Sequence, residues 1–526
     1  MTKKPTYEDS ENRIPQAVTV TSGSNPNTTT EVHSADGDSH TFGSEPHVDP
    51  ELKLPKLSSL SIIISANLFL QISFFIIVSS SNDYAKYLGG DSTFSGIVIG
   101  IPTAFSGLAL LPLMRYDHGG YKLPLHISCA ASIVGHVLYA SAYAANSLYM
   151  ILVGRIVSGL AFSMWMYCKR YIGDARIVGV RRRTTLAAWL VFGQGCGMAA
   201  GPFFGGLLYK VGFSNSIFNG YTSPGWIMAG VWAIFWVLAT IYYEDPPSAA
   251  PEVLELPVVD APVDITYTTE TIPESLHSRS RPFLNNSTAD MPLTTLTESP
   301  TASSPSSIRT ATSVPKYRMS LPEIGVAFTI CWCSMTCFFI LGGWESNIPV
   351  FASSPDAPQF GWSPFASGNF IALGGIATFP FLLANLFVAP RLQDRVILAG
   401  GSGIGFVGLL LFVALLAASE DHADHASSIL NYGSYLVCWW AVALGFNIAS
   451  TITMSLLSKQ LPPEWNGRTS LAIQYSNYTG RVTGAIWGGS GVKVGMLNYV
   501  GLDIVIAGIA GTLFMVLWRD LKTKKG

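Results

Sequence analysis

The sequence predicts an all-α polytopic membrane protein in which twelve transmembrane helices form two pseudo-symmetric six-helix halves. Three observations carry this prediction. Of the 526 residues, 49% are hydrophobic and only 12% are charged, whereas a soluble domain carries charged residues about twice as often. Apolar runs of spanning length occur in two groups separated by a long polar stretch, and one segment of the first group recurs in the second.

The apolar runs are long enough to cross a bilayer, which takes roughly 20 residues of helix. The first group occupies residues 60–80, 94–114, 123–144, 147–168, 186–209 and 226–243. The second group occupies residues 321–343, 365–389, 396–418, 431–457, 470–489 and 502–518. Six spans in each group predict two halves of similar size.

The remaining segments have a different composition. Residues 1–55 and 244–316 are rich in Ser, Thr and Pro and poor in apolar residues, which is typical of disorder. We therefore expect a disordered cytoplasmic tail at 1–55, an N-terminal half at 56–243, a disordered cytoplasmic linker at 244–316, a C-terminal half at 317–520 and a short basic C-terminal segment at 521–526.

Basic residues are distributed unevenly between the two sides of the predicted bundle. The loops and chain ends of one side carry sixteen Lys and Arg residues, against Lys86, Lys210 and Lys493 on the other. The sixteen are Arg115, Lys122, Lys169, Arg170, Arg176, Arg181, Arg182, Arg183, Arg391, Arg395, Lys459, Arg468, Arg519, Lys522, Lys524 and Lys525. Short loops rich in Lys and Arg stay in the cytoplasm, so both termini and the linker are predicted to be cytoplasmic.

The fifth and eleventh predicted spans share a sequence pattern. "RRTTLAAW" from Arg182 resembles "GRTSLAIQ" from Gly467, and the same glycine spacing follows in both spans. The aligned glycines are Gly197, Gly201, Gly205 and Gly206 in the first half and Gly480, Gly484, Gly488 and Gly489 in the second. A duplicated six-helix unit explains this repeat, and parallel repeats of this kind occur in one large class of secondary transporters.

Glycines four residues apart line one face of a helix and allow a neighbouring helix to approach closely in a bilayer. Pro202 lies among them and removes one backbone hydrogen bond, which permits a kink. A tight helix crossing alone accounts for this pattern. The functional hypothesis adds that the fifth span crosses the eighth and moves against it as the two halves rock.

Four motifs resemble those of the major facilitator superfamily. "GQGCGMAAGPFFGG" (193–206) resembles its fifth-helix motif, and "LVGRIVSGLAFS" (152–163) resembles its fourth-helix motif with an intramembrane arginine. "RYDHGGYK" (115–122) keeps part of the loop motif between the second and third helices, and "RLQDR" (391–395) stands at the equivalent loop of the second half. The resemblance covers about residues 56–520 and implies gating roles for the loop residues Asp117, Gly120, Lys122, Asp394 and Arg395.

Three further segments are similar to one branch of that superfamily. "NDYAKYLGG", "KRYIGDARIVGVRRRTTLAAW" and "NGYTSPGW" resemble the branch that holds the lysosomal ceroid-lipofuscinosis membrane protein and the SPX-type vacuolar phosphate transporters. We expect no SPX domain here, because the tail at 1–55 is too short. The resemblance implies an inorganic anion as substrate and a vacuolar or lysosomal membrane rather than the plasma membrane.

Two arginines lie within predicted spans, where ionisable residues cost about 2.5–3.5 kcal/mol on insertion scales and are functional candidates. Arg155 lies roughly 12 Å into the fourth span and Arg481 roughly 18 Å into the eleventh, at the rise of an α-helix. An arginine presents a planar fork of donors suited to carboxylate or phosphate, so either could bind an anionic substrate. The alternative, which the fourth-helix motif favours for Arg155, is a structural or coupling role.

Two carboxylates are candidates for carrying a proton. Glu345 in "GGWESNIP" and Asp83 in "SSSNDYAKYLGG" are expected at the ends of the seventh and first spans. Burial favours the protonated form of a carboxyl group, so either could take up a proton on one side and release it on the other; a solvated helix end is the alternative. The uncharged polar candidates for substrate binding, or for hydrogen bonds between helices, are Gln194, Asn447, Gln474, Tyr475 and Asn477.

These features predict a secondary active transporter that moves a small solute by alternating access at a site between the halves. The preferred substrate is a small anion, phosphate or chloride, with proton coupling. An organic-solute or drug exporter is one alternative, and an anion channel or a sensor without transport is another. The sequence has no clustered catalytic or metal-ligating residues and no "GxxxxGK" loop, so we expect no enzyme activity, cofactor, metal or nucleic-acid partner. We expect a monomer in the bilayer.

Overall fold

The computed structural model describes residues 50–116, 119–174, 176–212, 215–246, 319–355, 357, 359–421, 429–462 and 465–522, and in these residues the regular secondary structure is helical. The first half contains α1 (Leu57–Phe75), α2 (Ser81–Tyr87), α3 (Ser92–Arg115), α4 (Lys122–Ser141), α5 (Leu148–Phe162), α6 (Met164–Gly173), α7 (Val180–Val211) and α8 (Ser223–Tyr242). The second half contains α9 (Leu321–Ala352), α10 (Pro364–Val388), α11 (Asp394–Asp421), α12 (Tyr432–Gln460), α13 (Asn466–Val494) and α14 (Met496–Val516).

Within the part of the chain that the structure describes, ten helical segments are long and apolar enough to cross a membrane, with α5 and α6 together forming one of them. The two other long helices, α7 and α13, have 32 and 29 residues and correspond to the fifth and eleventh predicted spans. Their glycines and polar residues lower their hydropathy. The all-helical, multi-pass fold predicted from the sequence is confirmed.

Three spans differ from their predicted bounds. The first helix ends at Phe75 and is followed by turns and by the short α2. The fourth span divides into α5 and α6 at Ser163. The seventh continues beyond Gly343 to Ala352, so the expectation that Glu345 ends a helix is wrong. The helix does not stop at Gly342 because this glycine is buried against the backbone of Arg481, where close approach is the reason for its small size.

The repeated glycines make equivalent contacts in the two halves. Gly197, Gly201 and Gly205 pack on α1, and Gly480, Gly484 and Gly488 pack on α9. The stripe formed by Gly197, Gly201 and Gly205 therefore faces α1, the first helix of its own half. The sequence-based hypothesis had placed this stripe against the eighth span. A Cβ at any of the six positions would come within 2.5 Å of the neighbouring segment, which is closer than van der Waals contact allows, so both stripes are fully used in packing.

The last glycine of each repeat contacts the opposite half instead. Gly206 lies against Pro364 and Phe365 at the start of α10, and Gly489 lies against Ser92 at the start of α3. The fifth and eighth spans thus cross as predicted. Besides Gly206, the carbonyl of Pro202 lies against Gly368 of α10, and Gly195 lies against Phe379 of α10. The pseudo-symmetry seen in the sequence thus has a structural counterpart at matching positions.

The bundle has two sides. One, the basic side, carries the ends of helices near Arg115, Lys122, Arg176 and Arg395. The other, the opposite side, carries Asp91 and Lys493, which form an ion pair between the halves. Further contacts join the halves near that pair, including the hydrogen bonds of Ser490 with Thr93 and of Asn82 with Ser353, both at 3.4 Å. The halves are therefore closed against each other on the opposite side.

The predicted tail and linker lie almost entirely outside the described residues. The first linker residues are nevertheless ordered on the basic side. Glu244 forms an ion pair with Lys56 at 2.5 Å, and the Asp245 carboxylate accepts hydrogen bonds from the backbone N–H groups of Tyr121 and Lys122 at 2.8 and 3.0 Å. The chain leaves the first half only after these contacts.

Candidate functional site

A cavity of about 170 Å³ lies between the two halves. Residues of α1, α3, α6 and α7 line it from the first half, and residues of α9, α10, α12 and α13 line it from the second. The polar and charged lining residues are Gln71, Thr103, Lys169, Gln194, Asn447, Ser450, Thr451, Gln474, Asn477, Tyr478 and Arg481. The sequence-based candidates Arg481, Gln194, Asn447, Gln474 and Asn477 thus come together, although they lie on three different helices.

Arg481 is the cation at the inner end of this cavity. It lies near the middle of α13, and its Nη2 donates a hydrogen bond to the carboxylate of Glu345 of α9. The Glu345 side chain is 2% exposed and the Arg481 side chain 12% exposed. The rings of Phe74 and Phe75, at 4.7 and 5.1 Å from the guanidinium carbon, cover one side of the pair, which stabilises a cation. The pair is therefore largely dry except where Arg481 meets the cavity.

Lys169 is a second cation in the cavity that sequence reasoning missed. It was counted among loop residues, but it lies within α6 and its side chain is exposed into the cavity. Its ammonium group donates to Oε1 of Gln474 at 3.3 Å, and none of the carboxylates in the described residues pairs with it. The sequence feature that could have indicated Lys169 is its place at the amphipathic end of the fourth span. A long side chain there can extend into the space between the halves.

The amides of the cavity are partly engaged in contacts between helices. Gln194 donates to Asn67 at 3.4 Å, and the buried Asn67 in turn donates to the carbonyl of Leu190 at 2.9 Å. Asn447 donates to the carbonyl of Ala443 one turn earlier in α12 at 2.7 Å. Each keeps further donors or acceptors at the cavity, so these groups can both position helices and contact a solute.

Arg155 lies outside the cavity and is 1% exposed. Its Nε donates to the carbonyl of Val98 at 3.1 Å and its Nη1 to the carbonyl of Ser73 at 3.4 Å. Residue 102 is a proline within α3, so the Val98 carbonyl has no N–H to accept from four residues later. Ser73 lies in the last turn of α1, where carbonyls also lack partners and attract cations. Arg155 of α5 is therefore joined to α1 and α3 through backbone carbonyls that lack a helical N–H partner.

Two other candidates lie away from the cavity lining. Asp83 is half-buried in α2 on the opposite side, where burial raises the pKa of its carboxyl group and nearby Lys86 partly offsets that effect. Tyr475 extends from α13 to the first half and donates to the carbonyl of Gly107 at 2.9 Å. Tyr475 thus bridges the halves beside the cavity, and Asp83 is not brought near Arg481.

The candidate gating residues that are described lie on the basic side, within their own halves. Gly120 and Lys122 lie beside Asp245, whereas Asp117 is outside the described residues. Asp394 accepts from Ser455 at 2.9 Å and pairs with Lys459 at 3.0 Å. The Arg395 guanidinium lies 4.5 Å from the Trp518 ring centre. These contacts tie helix ends together in each half.

The comparisons with known proteins agree with this architecture. The family model of the Major Facilitator Superfamily matches residues 62–485. The chain belongs to this superfamily, and this membership indicates a multi-pass membrane transporter.

Relatives occur in fungi and plants. An uncharacterized MFS-type transporter of Schizosaccharomyces pombe is 28% identical over 491 residues, which cover 91% of this chain and 85% of the relative. An SPX domain-containing membrane protein of Arabidopsis thaliana is 28% identical over 382 residues, covering 67% of this chain and 49% of that protein. The resemblance to the SPX-type branch is therefore confirmed at the level of sequence similarity.

Solved structures share the fold. A POT family transporter in complex with a thioalcohol-conjugated peptide has a TM-score of 0.61 at 10% identity and covers 88% of this chain and 96% of its own. A bacterial homologue of the human lysosomal transporter Spinster, in an inward-facing and occupied conformation, has a TM-score of 0.57 at 12% identity over 89% of this chain and 98% of its own.

Proposed function

We propose that this transporter carries a small inorganic anion, phosphate or chloride, coupled to protons. The observation that carries the proposal is the pairing of Arg481 with the buried Glu345 at the inner end of a cavity that also contains Lys169. Two cations facing one cavity raise the local concentration of anions. The planar guanidinium offers donors that match phosphate oxygens.

The coupling step follows from the ion pair. When Glu345 is ionised, it neutralises Arg481 and takes up part of its donor fork. A proton on Glu345 removes that charge and frees Arg481 for the anion. A buried ion pair is stable only while both partners are present, so proton binding and anion binding favour each other at this site. The transported anion then replaces the carboxylate as the partner of Arg481.

The dimensions of the cavity favour this substrate class over the alternatives. Pockets that take drug-sized ligands have roughly 300–1,000 Å³, whereas this cavity has about 170 Å³. That size argues against an organic-solute or drug exporter. An anion channel would need a continuous path, and the closely packed opposite side argues against one in this state.

We further propose that the basic side faces the cytoplasm, as the excess of Lys and Arg on its loops suggests. The closure of the opposite side then corresponds to a cytoplasm-facing state. The tail at 1–55 and the linker at 244–316 are proposed to be cytoplasmic, with the linker joining the half at 56–243 to the half at 317–520. The sequence resemblance supports a vacuolar or lysosomal membrane, and the protein is proposed to act as a monomer in the bilayer.

The test is uptake of labelled phosphate and of labelled chloride into proteoliposomes with a proton gradient. Wild-type protein should show saturable uptake of one anion that depends on the gradient. Arg481→Ala should lose it, and Arg519→Ala, which removes an exposed arginine after α14, should retain it. Uptake of the anion by Arg481→Ala at the wild-type rate would refute the proposed site, and ohmic current without saturation would favour the channel.

A further inference from the structure

Asp503 is a carboxylate that the proposed transport site does not use. It lies seven residues into α14, and it is fully buried, at 0% exposure. Neither of its side-chain oxygens has a partner at ordinary hydrogen-bond geometry, although the Trp344 indole lies close enough to act on the carboxyl group as a donor. Buried carboxylates are normally paired or hydrogen-bonded, because an isolated charge in an apolar interior is very costly.

Two further polar groups lie beside Asp503. Trp344 of α9 and Tyr499, one turn before Asp503 in α14, are each 1% exposed, and neither the indole Nε1 nor the phenol oxygen makes a hydrogen bond of ordinary geometry. The Trp344 indole nevertheless acts on the Asp503 carboxyl group as a donor, and Tyr499 is an electrostatic neighbour of that group. The Tyr499 hydroxyl also lies against Gly343, next to Trp344 in α9. Three polar groups therefore form one buried cluster, which we call the Asp503 cluster.

The surroundings of the cluster contain no counter-charge among the described residues. α12 contributes the phenol of Tyr435, α11 contributes the ring of Phe412, and α13 contributes Trp487, whose indole nitrogen donates to the backbone of Tyr499. Glu345 of α9 and Lys493 of α13 are engaged by Arg481 and Asp91. With no cation nearby, the neutral acid is the form of Asp503 that this packing favours.

The donor set identifies the ligand. The indole N–H can only donate a hydrogen bond, and the Tyr499 phenol adds a single oxygen to the carboxylate, which is too few ligands for the oxygen cage of a metal ion. The indole and the phenol can instead stabilise the carboxyl group in either protonation state, by small rotations that bring their hydrogens onto its oxygens. The cation that fits this cluster is a proton.

The cluster lies behind the helix that carries Glu345. Trp344 and Glu345 are consecutive in α9, so their side chains point to different faces, Glu345 towards Arg481 and Trp344 towards Asp503. Gly342 and Gly343 precede them, and Pro349 removes the hydrogen bond of the Glu345 carbonyl. This part of α9 can therefore bend, and charge on either face would change its packing.

We propose that Asp503, with Trp344 and Tyr499, is a second proton-binding site of this transporter, filled while the opposite side is closed. Loss of this proton places a charge behind α9 and loosens its packing on α14. Protons on both faces of α9 then set the position of the helix that holds the transport site. This role in coupling rests on the proposed function, whereas the protonation of Asp503 does not.

The protonation is tested by infrared spectroscopy of the purified full-length protein at neutral pH. The difference spectrum between wild type and Asp503→Asn should contain the C=O stretching band of a protonated carboxyl group. Asp394→Asn is the control and should yield no such band, because Asp394 pairs with Lys459. Tyr499→Phe should shift the band by removing a neighbouring hydroxyl, which keeps the test available if Asp503→Asn does not fold. A wild-type protein without the band would overturn the proposal.

The role in coupling is tested by phosphate or chloride uptake in the same proteoliposomes. Asp503→Asn should retain exchange of anion for anion but lose at least half of the protons moved per anion, with a flatter pH profile. An unchanged pH profile and proton ratio would overturn the coupling role. If wild type transports neither anion, the proposed substrate fails while the infrared result still decides the proton site.

Discussion

Arg155 and Arg481 are the same residue type, each within one half of the bundle, yet their surroundings differ in kind. Arg155 binds the carbonyls of Val98 and Ser73. Arg481 binds the carboxylate of Glu345 and faces a cavity. The carbonyl groups that Arg155 binds are fixed dipoles that do not titrate. The carboxylate that Arg481 binds does titrate, so Arg481 is the arginine of the two whose hydrogen-bonded partner a proton can neutralise.

The ring of Phe74 connects the two arginines. Its centre lies 5.7 Å from the guanidinium carbon of Arg155 and 4.7 Å from that of Arg481. Phe74 stands at the end of α1, and the first arginine anchors this end while the second contacts it from the other half. Arg155 thus holds in place the end of α1 whose Phe74 ring packs against Arg481.

The largest expected effect is on stability when the ion pair is broken on one side. Arg481→Leu leaves Glu345 buried without its partner, and such losses cost about 3–5 kcal/mol. The double variant Arg481→Leu/Glu345→Leu should recover most of the free energy of unfolding, because both charges are gone. Thermal unfolding in detergent measures both. If the single and double variants were destabilised equally, the loss of stability would not come from the unpaired charge of Glu345.

The second prediction concerns Glu345→Gln, which mimics the protonated acid. Wild-type uptake should fall as pH rises, because ionised Glu345 competes with the anion for Arg481. The variant should show an uptake rate nearly independent of pH, and accumulation against a gradient should drop at least about tenfold, or about 1.4 kcal/mol. Uptake measured over a pH series checks this. A pH profile that persists in the variant would place the coupling group elsewhere.

The third prediction tests whether Arg155 differs from Arg481 in having a structural role. Arg155→Lys cannot reach both carbonyls with one ammonium group, so it should lower the free energy of unfolding by about 1–3 kcal/mol. The KM for the anion should stay within a factor of two of wild type. Unfolding and uptake are measured on the same preparation. A raised KM with unchanged stability would make Arg155 a substrate-binding residue like Arg481.

A smaller effect is expected at Lys169. Its side chain is exposed into the cavity, and solvent screening at such a position limits the attraction for an anion to about 1 kcal/mol. Lys169→Gln should therefore raise KM about fivefold and leave the unfolding temperature unchanged. Arg170→Gln, at the next position of α6, is the matched control. A Lys169→Gln variant with wild-type KM would remove Lys169 from the site.

The smallest effect is expected at the ion pair of the opposite side. The hydrogen bond from Lys493 lowers the pKa of Asp91. The ion pair therefore stabilises the closed opposite side at pH values above the usual pKa of an aspartate. This stabilisation is lost as the pH falls through the lowered pKa of Asp91. Both side chains are about half exposed, and exposed pairs contribute about 0–1 kcal/mol.

Asp91→Asn should make the opposite side slightly more accessible at neutral pH and abolish its response to acid. Accessibility is measured as the rate at which a membrane-impermeant thiol reagent labels the cysteine introduced by Thr93→Cys. This rate is compared with the rate in the double variant Thr93→Cys/Asp91→Asn. Identical acid responses in the two variants would show that another group senses pH on this side.

Much of the architecture was predictable because hydrophobic runs and glycine spacing are local. The family, the helical multi-pass fold and the duplicated glycine helices followed from the sequence. The position of Glu345 did not, because Gly342 and Gly343 look like helix breakers until their packing against α13 is known. Asn67 and Asp503 were missed since single polar residues in apolar runs carry no spacing signal. Lys169 was taken for a loop residue.

The sequence by itself determined which segments cross the membrane and that the two halves share one plan, because burial in lipid requires long apolar helices. Only the tertiary structure decided what each buried charge does. Arg155 became an anchor because Pro102 freed a carbonyl beside it, and Arg481 became the partner of Glu345 because α13 lies against α9. Those partners are distant in the sequence, and the cost of an unpaired charge in the bilayer makes the partner decisive.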